Sequence, residues 1–217
     1  MSSNTVFFAK NILDLYSWIS ASPSFLAQSY PDRFVNSIYF ETLNKSSENE
    51  ILVDSVDKTK VRLRWYGSST PISHLEVKKK NGYVCDKKSF FQVQSPNLDI
   101  KSRILTARSC YVHEHSVLEF LLNPVLWIGY ERTYFASNHP NFEGFRVTVD
   151  RMISYAEIRD EKIYGSKILE SDDVILEVKF PVSLYEKASP LLRSINCELT
   201  KNSKFTSGVM GLNNIYY

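Results

Sequence analysis

The chain has only three cysteines, Cys85, Cys110 and Cys197, and no CxxC. So sparse and odd a set excludes a disulfide framework and argues against a structural zinc site. Buried, inert thiols in a reducing cytoplasm are the expectation. Histidine is also scarce. The "HEH" at 113–115 sets two imidazoles two residues apart, but no third ligand stands beside them, so exposed or satisfied histidines are expected. There is no P-loop and no credible protein nucleophile. No apolar run approaches the ~20 residues that span a bilayer. The start, "MSSNTVFFAKNILDLYSWI", lacks the basic stretch and long apolar run of a signal peptide, so a soluble protein is expected. Charge of one sign is not in excess either. At a formal net charge of +2, composition does not announce a nucleic-acid binder, and only the arrangement of charge can speak to ligands. No repeat, low-complexity tract or linker interrupts the chain, and one domain over 1–217 is expected.

What is present is apolar and aromatic: 43% hydrophobic and 13% Phe, Trp and Tyr, enough for a substantial core. Two-residue alternation with β-branched and aromatic residues predicts strands at 33–42, 60–67, 73–80, 125–135, 144–154 and 174–180. Helical spacing is rarer. It predicts a helix over 10–22, with Ile12, Leu15, Tyr16 and Ile19 on one stripe and Pro23 closing it. A second is expected over 115–123, stopping before Pro124, and a third over 183–196, broken or kinked at Pro190. "NKSSENE" (44–50) and "SNHPNFEG" (137–144) read as loops.

Alternation also sorts side chains by face. Arg62 and Arg64 share a face of "KVRLRWYG", opposite Val61, Leu63 and Trp65. Glu76 and Lys78 oppose Leu75 and Val77. Tyr130 shares a face with Arg132. Arg146, Thr148 and Asp150 oppose Val147 and Val149. Glu177 and Lys179 oppose Leu176, Val178 and Phe180. An antiparallel sheet with one solvated face gives such a pattern. The second arrangement is a barrel whose charged faces line the inside, with helices and loops outside; this inverts the usual packed interior. The bias to arginine, a rigid fork suited to phosphate oxygens, favours it. A cation-rich hollow is costly unless a polyanion and a metal offset the repulsion. "DKKSF" adds Lys87 and Lys88. "TKNSKF" adds Lys201 and Lys204, on one face if that segment is helical. Trp65 and Tyr66 could stack a nucleotide base, but Trp65, opposite the arginines, is expected to pack between sheet and helix.

Taken in order, "YPDRFVNSIYFET", "KVRLRWYG", "LEVKKKNG", "KKSF", "YERTYF", "RVTVD", "ILEVKF" and "KNSKF" resemble the VTC domain, the polyphosphate polymerase domain of the vacuolar transporter chaperone complex. That domain belongs to the triphosphate tunnel metalloenzyme, or CYTH-like, superfamily. The resemblance runs from about Tyr30 to Gly208. It implies an α+β fold: a closed antiparallel barrel with a charged interior and helices packed outside. It implies transfer of the ATP γ-phosphate onto inorganic polyphosphate, with Mn²⁺ or Mg²⁺ bound. The alternatives are a triphosphatase acting on inorganic or nucleoside triphosphates and a non-catalytic polyphosphate-binding module. By the resemblance, Arg62, Arg64, Lys78, Arg132 and Arg146 serve the reacting phosphates. Lys87 or Lys88, Tyr130, Lys201 and Lys204 add phosphate contacts, and the face pattern adds Lys179 beside Glu177. Glu177 is the metal carboxylate, Glu76 is a supporting carboxylate that pairs with neighbouring cations, and the face pattern adds Asp150 as a further supporting acid. The family's first strand carries a lysine that would fall near Asn4, so a truncated or divergent first strand is expected. Nucleic acid is not an expected partner, because inward glutamates would repel its backbone. With no membrane segment in this chain, an unidentified membrane partner is the remaining expectation.

Overall fold

Strands form where the alternation predicts them, and beyond. The computed structural model describes residues 2–9, 11–41, 57–81, 84–94, 99–114, 122–164, 168–200 and 204–214. Within these, the strands are β1 (Ser2–Ala9), β2 (Leu26–Glu41), β3 (Asp57–Tyr66), β4 (Ile72–Asn81), β5 (Val84–Gln94), β6 (Asn123–Ser137), β7 (Arg146–Arg159), β8 (Lys162–Ile163), β9 (Leu169–Ser171), β10 (Val174–Pro181) and β11 (Glu198–Thr200). The helices are α1 (Ile12–Ala21), α2 (Ile100–Glu114), α3 (Tyr185–Arg193) and α4 (Lys204–Asn214). The hydrogen-bonded order is β11-β1-β10-β7-β6-β2-β3-β4-β5, with β8 and β9 on β7. The pairings run antiparallel throughout β1–β10, β1–β11, β7–β10, β2–β3, β3–β4 and β4–β5. Among the described residues no pairing joins β5 to β11, so the described strands trace an open path. The fold is α+β and dominated by antiparallel sheet.

Contacts sort the chain into two units. The first comprises Met1–Phe34, Tyr130–Ile153 and Glu170–Asn202. Its core is the apolar face of β1, β7 and β10 (Phe7, Val147, Val149, Leu176, Val178, Phe180) under Leu15 and Ile19 of α1 and Ala188 and Leu191 of α3. Helix α1 starts where Asn11 caps it, its side chain accepting from the Leu13 N–H at 2.9 Å, and Asp14 sits favourably in the first turn. It ends at Ser22, whose extended backbone is what a residue before proline requires. Pro190 lies inside α3, and the Ser194 N–H still closes onto the Pro190 carbonyl at 3.2 Å. A first strand does exist, with Asn4 in register with Lys179.

The second unit comprises Val35–Gly129, Ser154–Leu169 and Ser203–Tyr217. Val61, Leu63, Trp65, Leu75 and Val77 meet Ile104, Ala107 and Tyr111 of α2. Each aliphatic side chain so buried contributes about 1.5–3 kcal/mol of transfer free energy. Arg103, fully buried on α2, donates to Ser73 Oγ at 2.6 Å and to the Thr70 carbonyl, and its guanidinium lies 4.8 Å over the Trp65 ring. Trp65 therefore packs between sheet and helix. Helix α4 contains two glycines for want of space. A Cβ at Gly208 would stand 2.5 Å from Cδ1 of the buried Tyr155, and one at Gly211 would meet the end of the Leu169 side chain.

The expected helix over 115–123 falls mostly outside the described residues, and its last position is corrected: Asn123 opens β6, with Pro124 near the strand start, where a missing N–H is tolerated. The loop expected at 44–50 also lies outside them. Cys110 and Cys197 are free and only half-buried, and burial raises both thiol pKa values, with Asp14 adding to the effect at Cys197.

Candidate functional site

In the second unit the register of β2, β3, β4 and β5 lines up three polar rows. Ser37 faces Arg64, which faces His74 and then Gln92. Tyr39 faces Arg62, which faces Glu76 and then Ser89. Lys60 faces Lys78, which faces Lys87. Arg62 and Arg64 are thus two strides along one face of β3. Arg62 Nε makes an ion pair with Glu76 Oε2, and Arg62 Nη1 donates to Tyr39 Oη at 3.3 Å. Arg64, buried, donates through Nε to Ser37 Oγ at 3.3 Å. Lys78 is exposed. In the backbone register Lys87 is the partner of Lys78, and Lys88 that of Val77. Like charges directly opposite one another are destabilising in a sheet.

Helix α4 comes to this same face. Its Phe205 ring lies 5.2 Å from that of Tyr39 and 5.8 Å from Lys60 Nζ. Lys204 stands close enough to act on Tyr39 electrostatically. Burial raises the Tyr39 pKa, but Arg62, Arg64 and Lys204 outweigh it, and the phenol sits below its ordinary range. Tyr39 is a candidate site residue that alternation did not single out, although its place in "SIYFET", two residues from Ser37, was the available signal. Lys201 lies outside the described residues.

In the first unit, Arg132 is the centre of a second cluster. Its Nε and Nη2 reach Asp150 Oδ1 and Oδ2 at 2.5 and 2.7 Å, a two-pronged pair with Asp150 fully buried. Arg132 Nη2 also lies 3.7 Å from Glu177 Oε2, while Lys179 Nζ holds Glu177 Oε1 at 3.0 Å. The guanidinium sits 5.2 Å over the Tyr130 ring. Burial disfavours the Arg132 charge, but Tyr130, Asp150 and Glu177 together raise its pKa well above the ordinary value. Arg146, exposed, faces Lys179 across β7 and β10, and Thr148 faces Glu177. Each polar cluster is therefore cationic at its heart and tied down by one or two carboxylates.

The VTC domain model matches residues 8–213. The chain belongs to the VTC domain family. No curated protein matches it. Among solved structures, this VTC domain is similar to a protein from Pyrococcus horikoshii OT3, at TM-score 0.55 and 11% identity, covering 98% of this chain and 99% of that one. It is similar to a protein from Vibrio parahaemolyticus provisionally described as an adenylate cyclase, at TM-score 0.53 and 10% identity, covering 93% and 94%. It is also similar to a Hippeastrum protein provisionally described as an adenylyl cyclase and found to have a dominant triphosphatase activity, at TM-score 0.51 and 15% identity, covering 97% and 96%. At these identities the likeness is one of fold.

Could the VTC domain hold the divalent cation that its family implies? Among the described residues no three His, Cys, Asp or Glu side chains gather into a metal cage. Mg²⁺ and Mn²⁺ do not need one, since one or two carboxylates and the phosphates of a substrate suffice. Asp150 is committed to Arg132. Glu177 is half-buried, 3.7 Å from Arg132 and paired with Lys179 at 3.0 Å, and Thr148, its register partner, has a buried Oγ1 with no hydrogen-bond partner. Both are hard oxygen donors, so the residues fit such an ion.

Proposed function

We propose that this VTC domain is a polyphosphate polymerase-like phosphotransferase that moves the γ-phosphate of ATP onto a polyphosphate chain. The observation that carries the reading is the rank of cations in register on one sheet face, Arg62 and Arg64 beside Lys60, Lys78 and Lys87, which a polyanion would neutralise. The closed tunnel implied by the family belongs to the same proposal. Arg62, Arg64, Lys78, Arg132 and Arg146 bind nonbridging oxygens and stabilise the charge that spreads over them as the bond to the leaving diphosphate lengthens. Lys87, Tyr130, Lys179, Lys201 and Lys204 bind the remaining phosphates; Lys88 is the weaker candidate. A cation held at Glu177 would supply charge neutralisation between phosphates. A terminal oxygen of the acceptor chain attacks the γ-phosphorus in line, the β–γ bridge breaks, and ADP leaves. No protein nucleophile takes part. Glu76 orients Arg62 and Asp150 orients Arg132.

A triphosphatase is the second reading. It is supported by the dominant activity of the similar Hippeastrum protein and uses the same cations with water as acceptor. A cytoplasmic location and a membrane partner are part of the first reading; among the described residues no helix is long and apolar enough to cross a membrane. Incubation with ATP and Mn²⁺ tests both. Lengthening polyphosphate supports the polymerase, and phosphate release without chain growth supports the hydrolase. Tight polyphosphate binding without either would make the domain a non-catalytic binder.

A further inference from the structure

Aromatic rings and guanidinium groups gather outward from Arg132 in the first unit. The Arg132 guanidinium lies between Tyr130, at 5.2 Å, and Tyr134, at 5.9 Å. Tyr134 meets Tyr30 edge-on, with ring centres 5.8 Å apart and planes at 82°. Arg33 lies 4.8 Å over the Tyr30 ring and 5.9 Å from that of Tyr134. The column begins at a buried arginine and ends in solvent, with Tyr30 54% exposed and Arg33 exposed beside it.

The outer end is held in place. Gln28 Nε2 donates to the Tyr30 carbonyl and to Asp32 Oδ1, both at 2.9 Å. Asp32 in turn accepts from Arg151 Nη2 at 2.8 Å, and Arg151 Nε is anchored on Glu131 at 2.9 Å. A ring and a guanidinium fixed by their own strand lose little freedom when a flat ligand settles on them. Planar cations and phenol rings are the surfaces on which nucleobases stack. Trp65, also weighed for this role, does not offer such a surface, since it is buried against Arg103.

We propose that Tyr30 and Arg33, backed by Tyr134, stack the base of a nucleoside triphosphate whose phosphates reach Arg132. The inference rests on the phosphate-binding reading above and deepens it by assigning the base of the nucleotide to named residues outside the rows of cations. The test is calorimetric binding of ATP and of inorganic tripolyphosphate to the full chain and to Tyr30→Ala and Tyr30→Phe. Tyr30→Ala is expected to weaken ATP binding about 5- to 100-fold, the loss of one base stack. Tripolyphosphate affinity is expected to hold, and Tyr30→Phe to restore ATP binding. If Tyr30→Ala leaves ATP binding unchanged, or weakens both ligands equally, the platform is refuted while the phosphate reading stands. A single-stranded oligonucleotide binding more tightly than ATP through Tyr30 would also refute it. If the unaltered chain binds neither phosphate ligand, the phosphate reading fails and takes this inference with it.

Discussion

Removing the Asp150 carboxylate is the sharpest perturbation the fold offers. Asp150 is fully buried, and both its oxygens are engaged by Arg132, itself only 9% exposed. Asp150→Ala leaves a guanidinium in low dielectric with Glu177 at 3.7 Å as its nearest remaining carboxylate. Breaking a buried pair from one side costs about 3–5 kcal/mol. That is a large share of the roughly 5–15 kcal/mol that holds a typical domain together. For a chain of this size it corresponds to a fall in Tm of about 6–20 °C. Urea unfolding followed by tryptophan fluorescence measures it, with the slope m unchanged if only stability moves. The double substitution Arg132→Met with Asp150→Leu removes both charges and is expected to recover most of the loss, because apolar replacement of a buried pair is often neutral or better. A cost below about 1 kcal/mol for Asp150→Ala, the range of exposed pairs, would refute the reasoning.

Two other expectations follow from the second unit. Tyr39 is expected to ionise before a typical tyrosine as pH rises, read by phenolate absorbance, and Arg62→Ala is expected to move it upward. Because its folded pKa is depressed, its contribution to stability is fully present above the ordinary tyrosine pKa of about 10 and is lost as pH falls through the folded value; no shift in Arg62→Ala would contradict this. Gly208→Ala is expected to destabilise by about 1–3 kcal/mol by overpacking against Tyr155 and Leu126, measured by urea unfolding; a neutral effect would show that α4 can move aside.

Much of this was legible in the sequence. β3, β4, β7 and β10 each pack one apolar face on a core, so Val61, Leu63, Leu75, Val77, Val147, Val149, Leu176 and Val178 are all buried. Helix α2 was missed because Arg103, which periodicity assigns to water, is buried beside Ile104 and solvated instead by Ser73, Thr70 and Trp65. Helix α4 was missed because glycine disfavours helices, whereas Gly208 and Gly211 are there for close packing. β1 was obscured by the absence of the family lysine near Asn4, although Phe7 and Ala9 bury as a strand should. The partners of Arg62 and Arg132 depend on register between strands distant in sequence, which no single strand pattern encodes.

The central claim is that cations on these faces bind a chain of phosphates. Calorimetric titration with inorganic tripolyphosphate at several salt concentrations, on the unaltered chain and on Arg62→Ala and Arg146→Ala, tests it most directly. The account predicts binding that weakens steeply with added salt and is abolished in both variants. Absent binding, or affinity indifferent to both arginines, would contradict it.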